Sequence, residues 1–136
     1  MEDAGWWSLI IRGKNLNFDK IQEKLKITPT SISKEGKDYN SKILEPLKHD
    51  VWIYEIEFDE NKDSKQALEE LLVAIKPVKR HLLELDLSAN VQIRWYVQTD
   101  YAQIYYEIPP KLLKMLSDME LKLEISILSW GGIKDT

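Results

Sequence analysis

A chain of 136 residues with no cysteine and a formal net charge of −4 excludes several classes of protein at once. It has room for one core but not for two, and it can form no disulfide, thiolate metal site or cysteine nucleophile. Its charges are mildly acidic in balance and interspersed in sign, so it lacks the positive field that nucleic acid or an anionic membrane would require.

The opening Met1-Glu2-Asp3-Ala4-Gly5 is acidic where a secretory signal is basic, and no run reaches the length of a membrane span. The expectation is a single cytoplasmic α+β domain over residues 1–136.

The first strand is predicted from about Trp6 to Arg12, with Trp7, Leu9 and Ile11 on one side and Trp6, Ser8, Ile10 and Arg12 on the other. Gly13-Lys14-Asn15 turns it. Asn17 suits an N-cap, Leu16 and Ile21 sit where a hydrophobic staple closes, and Phe18, Ile21 and Leu25 keep helical spacing to about Lys26. Thr28-Pro29-Thr30 stops that helix. From there to Asp50 no period is sustained, so residues 28–50 read as a long loop that is a binding loop, a mobile flap, or partly structured in a way the pattern does not reveal.

Val51 to Phe58 is the second strand, with Trp52, Tyr54, Ile56 and Phe58 facing one way and Val51, Ile53, Glu55 and Glu57 the other. Asp63 and Gln66 have capping-box spacing. Leu68, Leu71, Leu72, Ile75, Leu82 and Leu85 then form an apolar stripe that Pro77 must kink or break near Lys76. Val91–Gln98 is the third strand, and Thr99-Asp100-Tyr101 is short enough to turn it as a hairpin into a fourth at about Ala102–Ile108. Pro109-Pro110 opens a helix with Leu112, Leu113, Leu116 and Met119 on its buried side. Leu121–Leu128 alternates cleanly as the fifth strand.

The order β-α-β-α-β-β-α-β contains two β-α-β units, whose right-handed crossovers put their helices on one side. The predicted architecture is a two-layer sandwich: a five-stranded mixed sheet with helices on one face, a ferredoxin-like variant.

The chemistry-bearing residues are sparse. His49 beside Asp50, and His81 one helical step before Glu84, lack the further ligands of a metal site. Ser31, Ser33 and Ser41 occupy no nucleophile elbow, and Gly36, Gly131 and Gly132 form no phosphate loop. No catalytic, cofactor-binding or metal-binding residue is assigned, and an enzyme is not the expectation. Glu55, Glu57, Glu107 and Glu124 are expected to share the outward sheet face, balanced there by Arg12, Arg94 and Lys122.

The aromatic residues carry the functional expectation. Trp7, Trp52, Tyr54, Trp95 and Tyr106 fall on inward positions, whereas Trp6, Tyr96, Tyr105 and Trp130 fall outward or at strand ends and Tyr101 on the hairpin. Rings interleaved with charge are what protein interfaces enrich. The expected function is protein binding, with Tyr96, Tyr101, Tyr105 and Trp130 as anchors and Glu55, Glu57, Asp100 and Glu107 meeting a basic partner. The alternative is a small-ligand protein or enzyme with a pocket between the sheet and the 28–50 loop, lined by Trp52, Tyr39 and His49. Self-association through edge strands is a third reading.

Several segments together resemble a known family. They are Trp7-Ser8-Leu9-Ile10-Ile11-Arg12-Gly13, Asn17-x-Asp19-x-Ile21-x-x-x-Leu25-x-Ile27-Thr28-Pro29-Thr30, Lys34-Glu35-Gly36, Trp52, the Leu-Leu pairs of the long helix and the closing Leu-x-Leu-x-Ile-x-Ile. The family is the small bacterial proteins of domain of unknown function 4279. The resemblance implies a bacterial or phage origin and one compact domain, and by analogy a role in a defence cassette such as neutralising a toxin. It brings no catalytic residues with it.

Overall fold

A computed structural model describes residues 3–36, 39–40, 45–46 and 49–131. Strand β1 (Ala4–Gly13) is central and is followed by helix α1 (Phe18–Leu25). Asn17 caps α1 as its spacing predicts, its side-chain oxygen accepting the Lys20 N–H at 3.0 Å.

The expected long loop is not structureless. It contains β2 (Ser31–Ser33) and a small antiparallel ribbon of β3 (Tyr39–Asn40) and β4 (Glu45–Pro46), and its last residue already belongs to β5 (Asp50–Phe58). Helix α2 (Ser64–Ile75) gives way at Pro77 to a 3₁₀ turn over Lys76–Val78 before α3 (Lys79–Asp86), so the predicted break stands where proline removes a helix donor. Strand β6 (Asn90–Thr99), helix α4 (Pro110–Asp118) and β7 (Lys122–Ser129) complete the chain.

The main sheet has five strands in the order β2-β5-β1-β6-β7 and is mixed: only β6–β7 is parallel. The α+β class, the five-stranded mixed sheet and the helices on one face agree with the expectation. Two details are corrected. β1 and β5 pair antiparallel, so the first predicted β-α-β unit is not a parallel one; instead β5, α2–α3 and β6 form a split crossover with β1 between its strands.

The strand predicted at 102–108 does not exist. Ile104, Tyr106 and Ile108 are half-buried while Gln103, Tyr105 and Glu107 are exposed, so the alternation reports which side packs. The predicted hairpin partner is closed to the segment, because β6 is flanked by β1 on one side and β7 on the other. The fifth strand of the sheet is β2, drawn from the loop.

One core lies between the sheet and the helices. Trp7, Leu9 and Ile11 of β1, Trp52 and Phe58 of β5, and Val91, Ile93, Trp95 and Val97 of β6 meet Ile21 and Leu25 of α1, Leu68, Leu71, Leu72 and Ile75 of α2, Leu82 of α3, Leu112 of α4 and Met119 just after it. Each large apolar side chain fully removed from water there contributes about 1.5–3 kcal/mol. Trp7 stacks on Trp95 with centroids 4.8 Å apart, and its indole N–H donates to the buried Ser64 hydroxyl at 3.1 Å. Tyr106 reaches in edge-on to Trp95 and Phe58, although its segment forms no strand. Leu113, expected on the buried side of α4, is 50% exposed; the turn of the helix points it away from the core that Leu112 enters.

Candidate functional site: the sheet face without helices

Because strand side chains alternate, the residues between those of the core must project from the opposite face. The pairing sets them in rows. Glu57, Trp6, Tyr96 and Ser126 form one row across β5, β1, β6 and β7. The next is Glu55, Ser8, Arg94 and Glu124, followed by Ile53, Ile10, Gln92 and Lys122. Among the described residues no helix packs on this side.

The face is less uniformly wet than its sequence suggests. Ser8, Ile10 and Gln92, all expected outward, are buried. Longer neighbours close over the central strand: the Ser8 hydroxyl bonds the Glu55 carboxylate, and Arg94 Nε donates to Glu124 Oε1 at 2.6 Å. Toward one end Trp6 and Tyr96, both half-buried, stack with centroids 5.3 Å apart and Glu57 is exposed beside them.

The acids on the face differ in environment. Burial pushes the Glu124 carboxyl up, but the Arg94 charge and hydrogen bond and the Arg12 charge more than reverse it, holding it below its ordinary value. Burial raises Glu55, the Ser8 hydrogen bond opposes this, and the Glu57 charge adds to the rise. Neither Glu55 nor Glu57 has a cationic partner among the described residues. Burial also lowers the Arg12 guanidinium, with the Arg94 charge acting in the same direction.

The predicted site residues divide into two groups. Glu55, Glu57 and Tyr96 share the face, and Trp130 extends the same alternation past the end of β7, 58% exposed, its N–H bonded to the Thr99 carbonyl at 3.0 Å. Tyr101 stands next to it, since the Ser129 hydroxyl donates to the Tyr101 carbonyl at 2.6 Å. Asp100, Tyr105 and Glu107 are not on the face; they belong to the irregular connection after β6, where Tyr105 is 82% exposed and accepts a bond from Gln103.

The residues given to the alternative pocket are placed apart where they are described. Trp52 is fully buried in the core, and the Tyr39 side chain lies outside the described residues. His49 is exposed and borders a groove with Arg12, Lys14 and Asn90. That groove continues into a cavity of about 290 Å³ between α1 and the end of α3, lined by Lys14, Lys20, Lys24, Asn15, Asn17 and the apolar Leu16, Ile21, Leu85 and Ala89. Among the described residues no acid lines either recess. Sequence reasoning missed this cluster, although Lys20 and Lys24 are four apart on one helix face while Asp19 and Glu23 border a different recess.

Among the described residues no three His, Asp or Glu side chains converge as metal ligands, and no helix is long and apolar enough to cross a membrane. The family model described as Domain of unknown function (DUF4279) matches residues 4–130.

The chain belongs to the DUF4279 family.

The match runs from the first residue of β1 to Trp130, so both faces of the sheet and all four helices lie within the DUF4279 domain. No curated protein and no solved structure matches the chain.

Proposed function

We propose that this DUF4279 domain is a non-enzymatic protein-binding module that uses the helix-free sheet face, and that its partner presents a basic surface. The row Glu57–Trp6–Tyr96 carries this reading. Two large rings are pre-stacked on rigid strands, so little side-chain freedom remains to be lost on contact, and exposed Trp130 and Tyr101 extend the aromatic area. Glu55 and Glu57 beside them await a cation, which an arginine or lysine of the partner supplies. Neutralising a toxin is one role of this kind.

The experiment is the affinity of the complex with the protein that co-purifies from the native host. Glu57→Lys combined with Trp130→Ala should weaken it at least about tenfold with the thermal midpoint nearly unchanged, since both side chains are exposed. Unaltered affinity rejects this surface.

A second reading rests on the acid-free cleft at the opposite end of β1. Lys14, Lys20 and Lys24 have no ion pair among the described residues, and with Arg12 and His49 they favour a small anionic ligand whose apolar part lies on Leu16 and Leu85.

A further inference from the structure

The two edges of the sheet are built differently. β2 is only three residues long, and shortness is one way in which proteins blunt an edge against unwanted pairing. β7 is eight residues long, has no proline and carries no charge on its helix-side row. That row is Leu123, Ile125 and Ile127, which are 38%, 54% and 54% exposed although they sit on the same side as the core. Leu113 of α4, half exposed, is on that side too. An apolar row beside a backbone edge that no described strand pairs is a template for another strand.

We propose that β7 pairs antiparallel with β7 of a second copy about a twofold axis, joining two five-stranded sheets into one of ten strands. The strand's own pattern selects a second copy and its register. With Ile125 opposite Ile125 of the partner copy, Leu123 opposes Ile127 and the helix-side row becomes apolar across its whole length. On the other face Lys122 opposes Leu128 and Glu124 opposes Ser126, so no like charges stand directly opposite. The two Glu124 carboxylates that flank the axis are each neutralised by Arg94 of their own chain at 2.6 Å. Shifting the register by two residues in one direction would set Glu124 against Glu124; shifting it in the other would leave Leu123 opposite Ser129. A twofold contact of this kind closes on itself and needs only one patch. The inference is independent of the proposed sheet-face function.

Sedimentation equilibrium on the full chain tests it. The expected result is a concentration-dependent dimer that Ile125→Lys weakens about a hundredfold or more, because the substitution acts twice per dimer and sets two lysines face to face. Ile127→Lys should act in the same direction, and Ile32→Lys on the β2 edge should leave the dimer intact. Circular dichroism establishes that each variant is folded, and either β7 variant suffices for the conclusion. A chain that stays monomeric at several hundred micromolar, a dimer indifferent to both folded β7 variants, or open-ended assembly overturns the proposal.

Discussion

Trp6 and Tyr96 stand directly opposite each other on antiparallel strands, their ring centroids 5.3 Å apart and their planes 24° from parallel, on the one sheet face that no described helix covers. A stacked pair of this geometry is worth about 0.5–1.5 kcal/mol beyond the area it buries. A double-mutant cycle of Trp6→Ala and Tyr96→Ala, read by denaturant unfolding, should return a coupling in that range. A coupling near zero would mean that the rings are placed by their strands alone and do not hold each other.

Gly5 of β1 sits tight against the backbone of β6. A Cβ there would fall 1.8 Å from the Tyr96 carbonyl oxygen and 2.9 Å from the Phe58 ring. Since one of these atoms is backbone, the ladder itself must open to admit the methyl group. Gly5→Ala should cost about 3 kcal/mol or more in chemical unfolding, far above the usual effect of adding a methyl in a strand. Gly36, whose Cβ position is open, should tolerate alanine with only the strain of its positive φ.

Asp50 is buried, and its two carboxylate oxygens accept the Leu16 N–H at 2.9 Å and the Glu35 N–H at 2.8 Å, tying the turn before α1 to the segment after β2. The Glu35 N–H is the chief cause that holds its carboxyl below the ordinary value, against burial, with the Leu16 N–H and the Lys34 charge assisting. A lowered folded-state pKa contributes stability that is present above the unfolded value of 3.8 and lost as pH falls through the lower folded value. Asp50→Asn should therefore destabilise by about 1–3 kcal/mol at neutral pH, through one unmatched N–H, and flatten the acid limb of the stability curve.

Glu55 has the opposite sign. Its folded-state pKa is raised by burial, so its contribution is present below the unfolded value of 4.5 and lost as pH rises through the folded value. Glu55→Gln should be more stable than wild type at pH 7 and converge with it near pH 4, measured by thermal unfolding across that range. If Glu55 awaits a cationic partner, the same variant should bind that partner more weakly.

For the cleft between α1 and α3, pyrophosphate titrated into the full chain should shift the amide resonances of residues 14–24 saturably, and Lys14→Glu with Lys20→Glu should abolish the shifts. Shifts that are linear in ligand or spread over the surface would set the second reading aside.

Much of this fold could be read along the chain because its elements obey local rules. Asn17 caps, Pro77 breaks, and the Trp7, Trp52 and Trp95 rows alternate into a core. The misreadings share one physical origin. Alternation reports which side of a segment packs, not whether a neighbouring strand exists to bond it, so Ile104–Tyr106–Ile108 looked like a strand and the three residues of β2 did not. The antiparallel pairing of β1 with β5 is likewise a long-range choice that leaves no mark within either strand. At the candidate site, Glu55, Glu57 and Tyr96 were legible from parity, whereas Tyr105 and Glu107 were placed on the face only by the strand that does not form. Parity places Trp6 outward, but its stacking on Tyr96 depends on the β1–β6 register, which no single strand reveals.

The most direct measurement is hydroxyl-radical footprinting of the chain alone and in complex with the protein that co-purifies with it. Protection should concentrate on Trp6, Tyr96 and Trp130, while the helix-side residues Val73 and Leu87, both exposed in the free chain, react at unchanged rates. Protection of Val73 and Leu87 with Trp6, Tyr96 and Trp130 unaltered would contradict the account.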